Sequence, residues 1–481
     1  MQFTLKHLIM FLILVGTLLI FFTSNKVQYY STKIINSSSI RFFDLNVPEL
    51  SNTTAQKIQF WYHDQSVISR TSDCALYFEQ FVPVPGVDDE YLLHENASSP
   101  PLAFSHLVHK QSSILEVFLS VYFRPNNFHC IHIDNKSNAT FKKAISNLIK
   151  CYSGKTKHGK IFALSEIDSF SVNWGGNTML QADIKCLQKL LELRQGRNAT
   201  SKWSHTVSLA GSELPIVTYS SFRNQITQKL GSNLSSVQSV LLPPGNLNRL
   251  SDEQRKDRKV SPDGIQDKNI FEISNPLSNF TNSTSSNSSY GNSTIEFKVF
   301  KGIRNVILSF NDVDFLLNNE ISKEMLNWFL KMKMSEEHFY STVIRFDIDE
   351  QNSNFVVQNT SAEVIRRNSG GIKFTSGNTL HGICPRFTNW DCSDCFGKCY
   401  HTICNFNIKD LNKIKEDSTE CLIANKFNLD VDSLAVSRQW INLLTKMSQE
   451  GKIDEWWENH PFYWMNTMEK ISNLLIYQSI H

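Results

Sequence analysis

Hydrophobic positions fall into three regimes along this 481-residue chain. Leu8 to Phe22 (LIMFLILVGTLLIFF) is an uninterrupted apolar run, preceded by Phe3 and Leu5. A helix of about 20 residues spans roughly 30 Å and crosses a bilayer. Residues 8–25 are therefore expected to form a transmembrane signal anchor behind a short cytoplasmic tail, 1–7. Cleavage as a signal peptide is the rival reading, but no small-x-small site stands out in FFTSNKVQ. Residues 26–72 are polar, Ser/Asn/Thr-rich and weakly periodic, as a lumenal stem would be. From Asp73 onward the pattern becomes regular. LAFSHLVH reads as a strand, SSILEVFLSVYF as a helix, and FHCIHID as a buried strand ending in an acid. KIFAL and HTVSLAG read as further strands, with the amphipathic helix TMLQADIKCLQKLLELR between them. VFKGIRNVILSF resumes the pattern later, followed by EISKEMLNWFLKM and EEHFYSTVIR as helices. Alternating strands and helices predict one α/β domain over 73–481 with a largely parallel sheet. Ligands of such sheets bind at the carboxyl ends of the strands, where Asp134 would sit. About residues 244–295 the pattern breaks into charged GNLNRLSDEQRKDRKVSPDG and low-complexity SNFTNSTSSNSSYGNST, read as a solvated, glycosylated insertion.

Composition narrows the partners. Hydrophobic residues are 41% and charged residues 20%, enough for a sizeable core. With 48 Lys+Arg against 46 Asp+Glu and no basic stripe interleaved with aromatics, nucleic acid is excluded as an expected partner. Asn-x-Ser/Thr sequons stand at Asn36, Asn52, Asn96, Asn135, Asn138, Asn198, Asn233, Asn279, Asn282, Asn287, Asn292 and Asn359. Together with the anchor they describe a single-pass type II membrane glycoprotein whose folded part is lumenal. In that oxidising compartment the ten cysteines are expected mainly in disulfides, and a zinc site in the Cys384–Cys404 patch is the less favoured reading.

Six stretches in order, LAFSHLVHK, YFRPNNFHCIHIDNKS, NWGGNTMLQADIKCLQKL, WSHTVSLAGSELPI, SEEHFYSTVIR and CLIANKFNLDVD, carry a resemblance. They resemble the core-2/I-branching β-1,6-N-acetylglucosaminyltransferase family, glycosyltransferase family 14. The resemblance implies a GT-A-like sugar-nucleotide fold in its metal-independent variant, a UDP-sugar donor, an O-glycan acceptor, a Golgi location and no cofactor.

Inverting glycosyl transfer needs a base for the acceptor hydroxyl and stabilisation of the departing diphosphate. Glu337, in Ser335-Glu336-Glu337-His338-Phe339-Tyr340, matches the family's catalytic glutamate, with Glu336 the alternative one residue away. An acid in the first turn of a helix is otherwise a dipole-favoured residue. Lys426 matches one of the basic residues the family uses on the diphosphate. His401, in Tyr400-His401-Thr402-Ile403-Cys404, replaces the arginine of the vertebrate pattern with a side chain type that titrates near neutrality. His381, in His381-Gly382-Ile383-Cys384, is a decoy for the same position. Asp134 fits a ribose or uracil contact, Trp174 an aromatic wall beside the base, and Leu107 and His109 lie close by at the end of the first strand. Trp390 can supply an aromatic platform for an acceptor sugar, and Arg255 and Arg258 stand where relatives carry a basic pair. The family's acceptor glutamate has no counterpart in Asn233-Leu234-Ser235-Ser236. The family pattern implies disulfides Cys74–Cys151, Cys130–Cys186 and Cys395–Cys404. Pairing of Cys384, Cys392, Cys399 and Cys421 stays open. Asp-x-Asp tripeptides at Asp312/Asp314, Asp347/Asp349 and Asp430/Asp432 would suit a metal, but the family match places no metal there.

The expected activity is inverting transfer of GlcNAc from UDP-GlcNAc, β-1,6, to a galactose/GalNAc-containing O-glycan. The alternatives are another UDP sugar, glucose or xylose, moved by the same mechanism, or an inactive lumenal glycan-binding glycoprotein.

Overall fold

A computed structural model describes residues 61–82, 100–196, 202–260, 266–274, 294–351, 383–417 and 421–450. The expected tail and anchor, and His381, lie outside the described residues. Among those described, no helix is long and apolar enough to cross a membrane.

The first sheet is built by the four strands read from the apolar runs: β1 (Leu102–Val108), β2 (Phe128–Ile133), β3 (Lys160–Ala163) and β4 (His205–Ala210). β1 pairs parallel with β2 and β4, and β2 parallel with β3. Successive side chains of β1 serve opposite faces. Phe104 joins one apolar cluster with the helices Ser112–Tyr122 and Ala139–Ser153. Ala103 joins the other cluster, under the helix Thr178–Gln195.

The next strands are β5 (Glu213–Pro215), β6 (Val240–Leu241), β7 (Arg258–Val260), β8 (Gln266–Ser274), β9 (Thr294–Lys298), β10 (Phe300–Lys301) and β11 (Ile307–Ser309), all but β8 of five residues or fewer. β11 closes the first sheet antiparallel to β4, giving the order β11-β4-β1-β2-β3. The connection after β1 runs to β2 and that after β3 returns to β4 on β1's other side. The strand order therefore reverses beside β1, and the carboxyl ends of β1 and β4 are where open α/β sheets of this order have their ligand crevice. β12 (Cys384–Thr388), the hairpin β13 (Lys398–Tyr400)–β14 (Ile403–Asn405) and β15 (Cys421–Asn425) complete the set. β12, β15 and β5 form a second sheet, which brings Lys426 to the crevice at the end of β15.

Two expected boundaries move. The helix Asp64–Arg70 lies in the segment read as stem, yet Val67 and Ile68 are buried and Arg70 pairs with Glu116 in the core. Short apolar content hid it from the periodicity. The segment 244–295 is not wholly a solvated excursion. Gln254 is buried, Leu250 and Phe271 belong to the second apolar cluster, and Phe271 packs on Trp328, so described parts of the segment join the core.

All ten cysteines are paired. Cys74–Cys151, Cys130–Cys186 and Cys395–Cys404 are as the resemblance implied; Cys384–Cys421 and Cys392–Cys399 fill the open set. Cys384 and Cys421 are register partners on β12 and β15. Cys399 and Cys404 are opposed on the hairpin and bond outward to Cys392 and Cys395.

Candidate active site

One wall of the crevice is the turn Met334-Ser335-Glu336-Glu337-His338. Met334 takes a left-handed φ of 52°, and Ser335–Glu337 make a single 3-10 turn before the helix Phe339–Gln351 begins. Glu337 thus stands ahead of the helix and not in its first turn, because the turn is tied sideways. Met334 N–H donates to Gly175 O at 3.1 Å, and Gly302 N–H donates to Glu337 O at 2.6 Å. A Cβ on Gly302 would lie 2.0 Å from Gln238 O, so the close approach requires glycine.

The two adjacent acids diverge. Glu336 points inward, 5% exposed, and burial pushes its pKa up to about 7. The Glu337 side chain keeps 24% exposure, accepts from Arg249 Nη1 at 2.6 Å on Oε2, and faces Lys301 Nζ at 3.6 Å. Of the two, Glu337 has the access to meet a solute. Burial lowers the Lys301 pKa; Glu337 opposes that shift and Arg249 adds to it. His338 is held neutral, its pKa lowered first by burial and then by Arg249 and Lys301.

Sequence reading missed Arg249 and Lys301. Arg249 ends the 3-10 turn Pro244–Arg249 inside the segment read as an excursion, and only the fold brings it to Glu337. Arg255 and Arg258, expected on the acceptor side, do different things. Arg255 is half-exposed and pairs with Asp252 at 3.3 Å, a solvated helix-surface contact, while Arg258 opens β7 opposite Phe271. The cation from this segment that reaches Glu337 is Arg249.

The opposite wall is the sheet edge. Asp134, buried just past β2, accepts from Lys136 N at 2.8 Å and from Val172 N at 3.2 Å, one backbone donor per oxygen. Lys136 Nζ donates to Val172 O at 2.6 Å and Asn173 Oδ1 at 3.0 Å. The loop carrying Trp174 is therefore anchored on Asp134 at one end and, through Gly175 (φ 77°), on the Glu337 turn at the other. Leu107 is buried in β1, and its carbonyl accepts from Gly211 N at 2.7 Å.

Cations gather at the switch point. The His109 pKa is lowered by desolvation, then by Lys110 and Lys426, against the attraction of Asp134. The Lys426 pKa is lowered by burial first and by Lys110 next, with Glu213 opposing. Lys426 O accepts from Phe406 N at 2.9 Å, just past β14, so the lysine and the hairpin share a base. At the hairpin tip, His401 and Thr402 have φ of 47° and 64°, the positive values a two-residue β-turn requires. The His401 ring stacks on Trp174, centroids 5.2 Å apart and planes at 11°. The structure thus brings together Trp174 with His401, and His109 with Asp134 and Lys426. Trp390 follows β12, half-buried, beyond the end of β15's neighbour.

Asp312, Asp314, Asp430 and Asp432, of the Asp-x-Asp tripeptides, have partners within the chain, and the side chains of Asp347 and Asp349 lie outside those described. Asp430 pairs with Lys110 at 2.8 Å, and Asp432 caps the helix Ser433–Gln449 and accepts from Ile408 N. Ser309 caps the helix Phe310–Asn318, Asp312 in its first turn accepts from the Ser309 hydroxyl at 2.8 Å, and Asp314 accepts from Gln195 and Asn318. Among the described residues, the one group with metal-ligand spacing is Cys395, Cys404 and Asp410, whose two sulfurs are joined as a disulfide.

Comparison with known proteins accords with this layout. Beta-1,3-galactosyl-O-glycosyl-glycoprotein beta-1,6-N-acetylglucosaminyltransferase 4 of Danio rerio is 26% identical over 283 residues, 59% of this chain and 57% of the relative. The Homo sapiens protein named beta-1,3-galactosyl-O-glycosyl-glycoprotein beta-1,6-N-acetylglucosaminyltransferase is 23% identical over 401 residues, 81% of this chain and 78% of its own. N-acetyllactosaminide beta-1,6-N-acetylglucosaminyl-transferase of Homo sapiens is 23% identical over 377 residues, 78% of this chain and 80% of its own. The chain spans about half the length of the Danio rerio protein and of similar mouse and pig proteins. A family model described as Core-2/I-Branching enzyme matches residues 102–415, which include β1 to β4, Glu337 and His401. On that match, the chain belongs to the Core-2/I-Branching enzyme family.

Proposed function

We propose that this protein is an inverting glycosyltransferase with a GT-A-like site, moving GlcNAc from UDP-GlcNAc in β-1,6 linkage to a galactose- or GalNAc-containing O-glycan. One observation carries the reading. Glu337, accessible and flanked by Arg249 and Lys301, sits on a turn bonded to the loop that presents Trp174, and the same loop is bonded to Asp134 past the end of β2. The names of the relatives supply the sugar and linkage.

In this reading, Glu337 takes the proton of the acceptor's primary hydroxyl while that oxygen bonds to the anomeric carbon. The bond from that carbon to the diphosphate oxygen breaks and UDP departs, converting an α-linked donor to a β-linked product. Lys426 and His401 counter the charge on the diphosphate, a task for which no divalent ion is invoked. Trp174 stacks on uracil, Asp134 and His109 lie along the nucleoside, and Trp390 offers a face to the acceptor sugar. The apolar run, the sequons and the five disulfides support a lumenal, membrane-anchored setting, and the family resemblance implies the Golgi.

A second reading, an inactive glycan-binding glycoprotein, draws on the missing acceptor acid. Ser235 and Ser236, which occupy the aligned stretch, are buried beside β11. The test is a transfer assay in EDTA with UDP-GlcNAc, UDP-glucose and UDP-xylose against Galβ1,3GalNAc and lactosamine. Product with the mass of an added GlcNAc is the expected result. Addition of a hexose or pentose mass would change the donor, absence of product from folded protein with every pair would favour the binding reading, and rescue by manganese would overturn the account of the leaving group.

A further inference from the structure

Trp174 is 67% exposed, yet the His401 imidazole already lies parallel to its indole at 5.2 Å. The imidazole also meets the Tyr400 ring edge-on, centroids 4.1 Å apart. The two stacked rings come from separate elements. Trp174 rides on the loop bonded to Asp134 and the Glu337 turn, and His401 caps a hairpin whose strands are held by Cys392–Cys399 and Cys395–Cys404. With both backbones so fixed, the freedom left at the contact is rotation of the side chains.

The donor asks for more than this arrangement offers. Uracil needs an indole face to stack on, and a diphosphate needs an imidazole nitrogen turned toward it, not a ring lying flat on Trp174.

We propose that Trp174 and His401 form a latch worked by the nucleobase: in the empty molecule the imidazole occupies the indole face that uracil takes, and uracil displaces it toward the diphosphate. This rests on the donor-site reading above. Phosphate contact by His401 then depends on the base being seated, which makes the pair a specificity determinant for uridine diphosphate sugars. An arginine at the same place would keep its charge while stacked and present several donors at its edge; an imidazole has two nitrogens to offer and must turn.

The test is titration of uridine and of UDP into the full-length chain in detergent, comparing wild type with His401→Ala, Trp174→Ala and Trp174→Phe. A stacked aromatic pair biases the closed form by a factor of roughly two to ten, and a closed form lowers apparent affinity by that factor. His401→Ala is therefore expected to bind uridine about two- to tenfold more tightly while losing affinity for UDP relative to uridine. Trp174→Ala weakens both ligands and Trp174→Phe recovers part of the loss. Both side chains lie at the surface, and equal melting temperatures verify that each variant is folded. Uridine affinity unchanged or reduced in His401→Ala, with Trp174→Ala still weakening both ligands, would overturn the latch alone. UDP affinity unaffected by Trp174→Ala would overturn the donor-site reading itself, and the latch with it.

Discussion

The Glu337 turn and the His401 hairpin face one crevice but are held by opposite means. The turn is fixed from beneath: Phe339 and Tyr340 are fully buried, and two backbone hydrogen bonds lock its ends to Gly175 and Gly302. The hairpin has little core of its own. Phe396 and Tyr400 are 61% and 59% exposed, and two short-range disulfides take the place of packing. Cross-links hold a small apolar-poor element in shape by limiting its unfolded states. On the proposed reading, the residue that would stay in register with an acceptor is on the packed core, and the residue that would turn toward a donor is on a rigid but exposed frame.

That contrast can be broken from either side. On the hairpin side, Lys426→Ala is expected to lower kcat by about 10²–10³ and to weaken UDP binding, since the half-buried cation proposed to face the leaving group is removed. Steady-state rates with saturating acceptor measure it. On the turn side, Glu336 gives a pH signature. Its folded pKa, about 7, lies above the ordinary 4.5, so its protonated form is favoured by folding. The contribution is fully present below pH 4.5 and is lost as pH rises through about 7, costing about 3 kcal/mol across that window. Chemical denaturation of Glu336→Gln should show a flatter stability profile from pH 4.5 to 7.5 than wild type; parallel profiles would contradict the assignment.

Cys392→Ser/Cys399→Ser opens a loop with a sequence separation of 7 residues, a loss of about 2 kcal/mol by chain entropy. Hydrogen exchange should speed up in Lys398–Asn405 while Phe339–Gln351 stays protected. Arg249→Gln is the mildest change, about tenfold in kcat with UDP affinity unchanged, because Lys301 still faces Glu337. A loss confined to UDP affinity would move Arg249 from the turn side to the donor side.

What could be read in the sequence follows the same division. β1 to β4 and the helices between them lie where the apolar periods put them, because each element's burial is set by its own local pattern. β5 and β12 are 3- and 5-residue strands, each containing a proline, and they exist because β15 lies between them. No local period could announce that pairing. For the site, Glu337, Lys426 and His401 were reachable through the family resemblance, but Arg249 was not. It lies in a charged run whose other arginines, Arg255 and Arg258, looked equally good, and only the packing of Leu250 and Gln254 turns this one inward. The Trp174–His401 stack was invisible for a related reason: its members are 227 positions apart by their numbering and meet only once both walls are folded.

The most direct measurement sets wild type beside Glu337→Gln in EDTA, with UDP titration and GlcNAc transfer followed on the same preparations. The account predicts equal UDP affinity and a transfer rate reduced by about 10²–10⁴ in the variant. Equal transfer rates would contradict Glu337 as the base, whatever else the crevice binds.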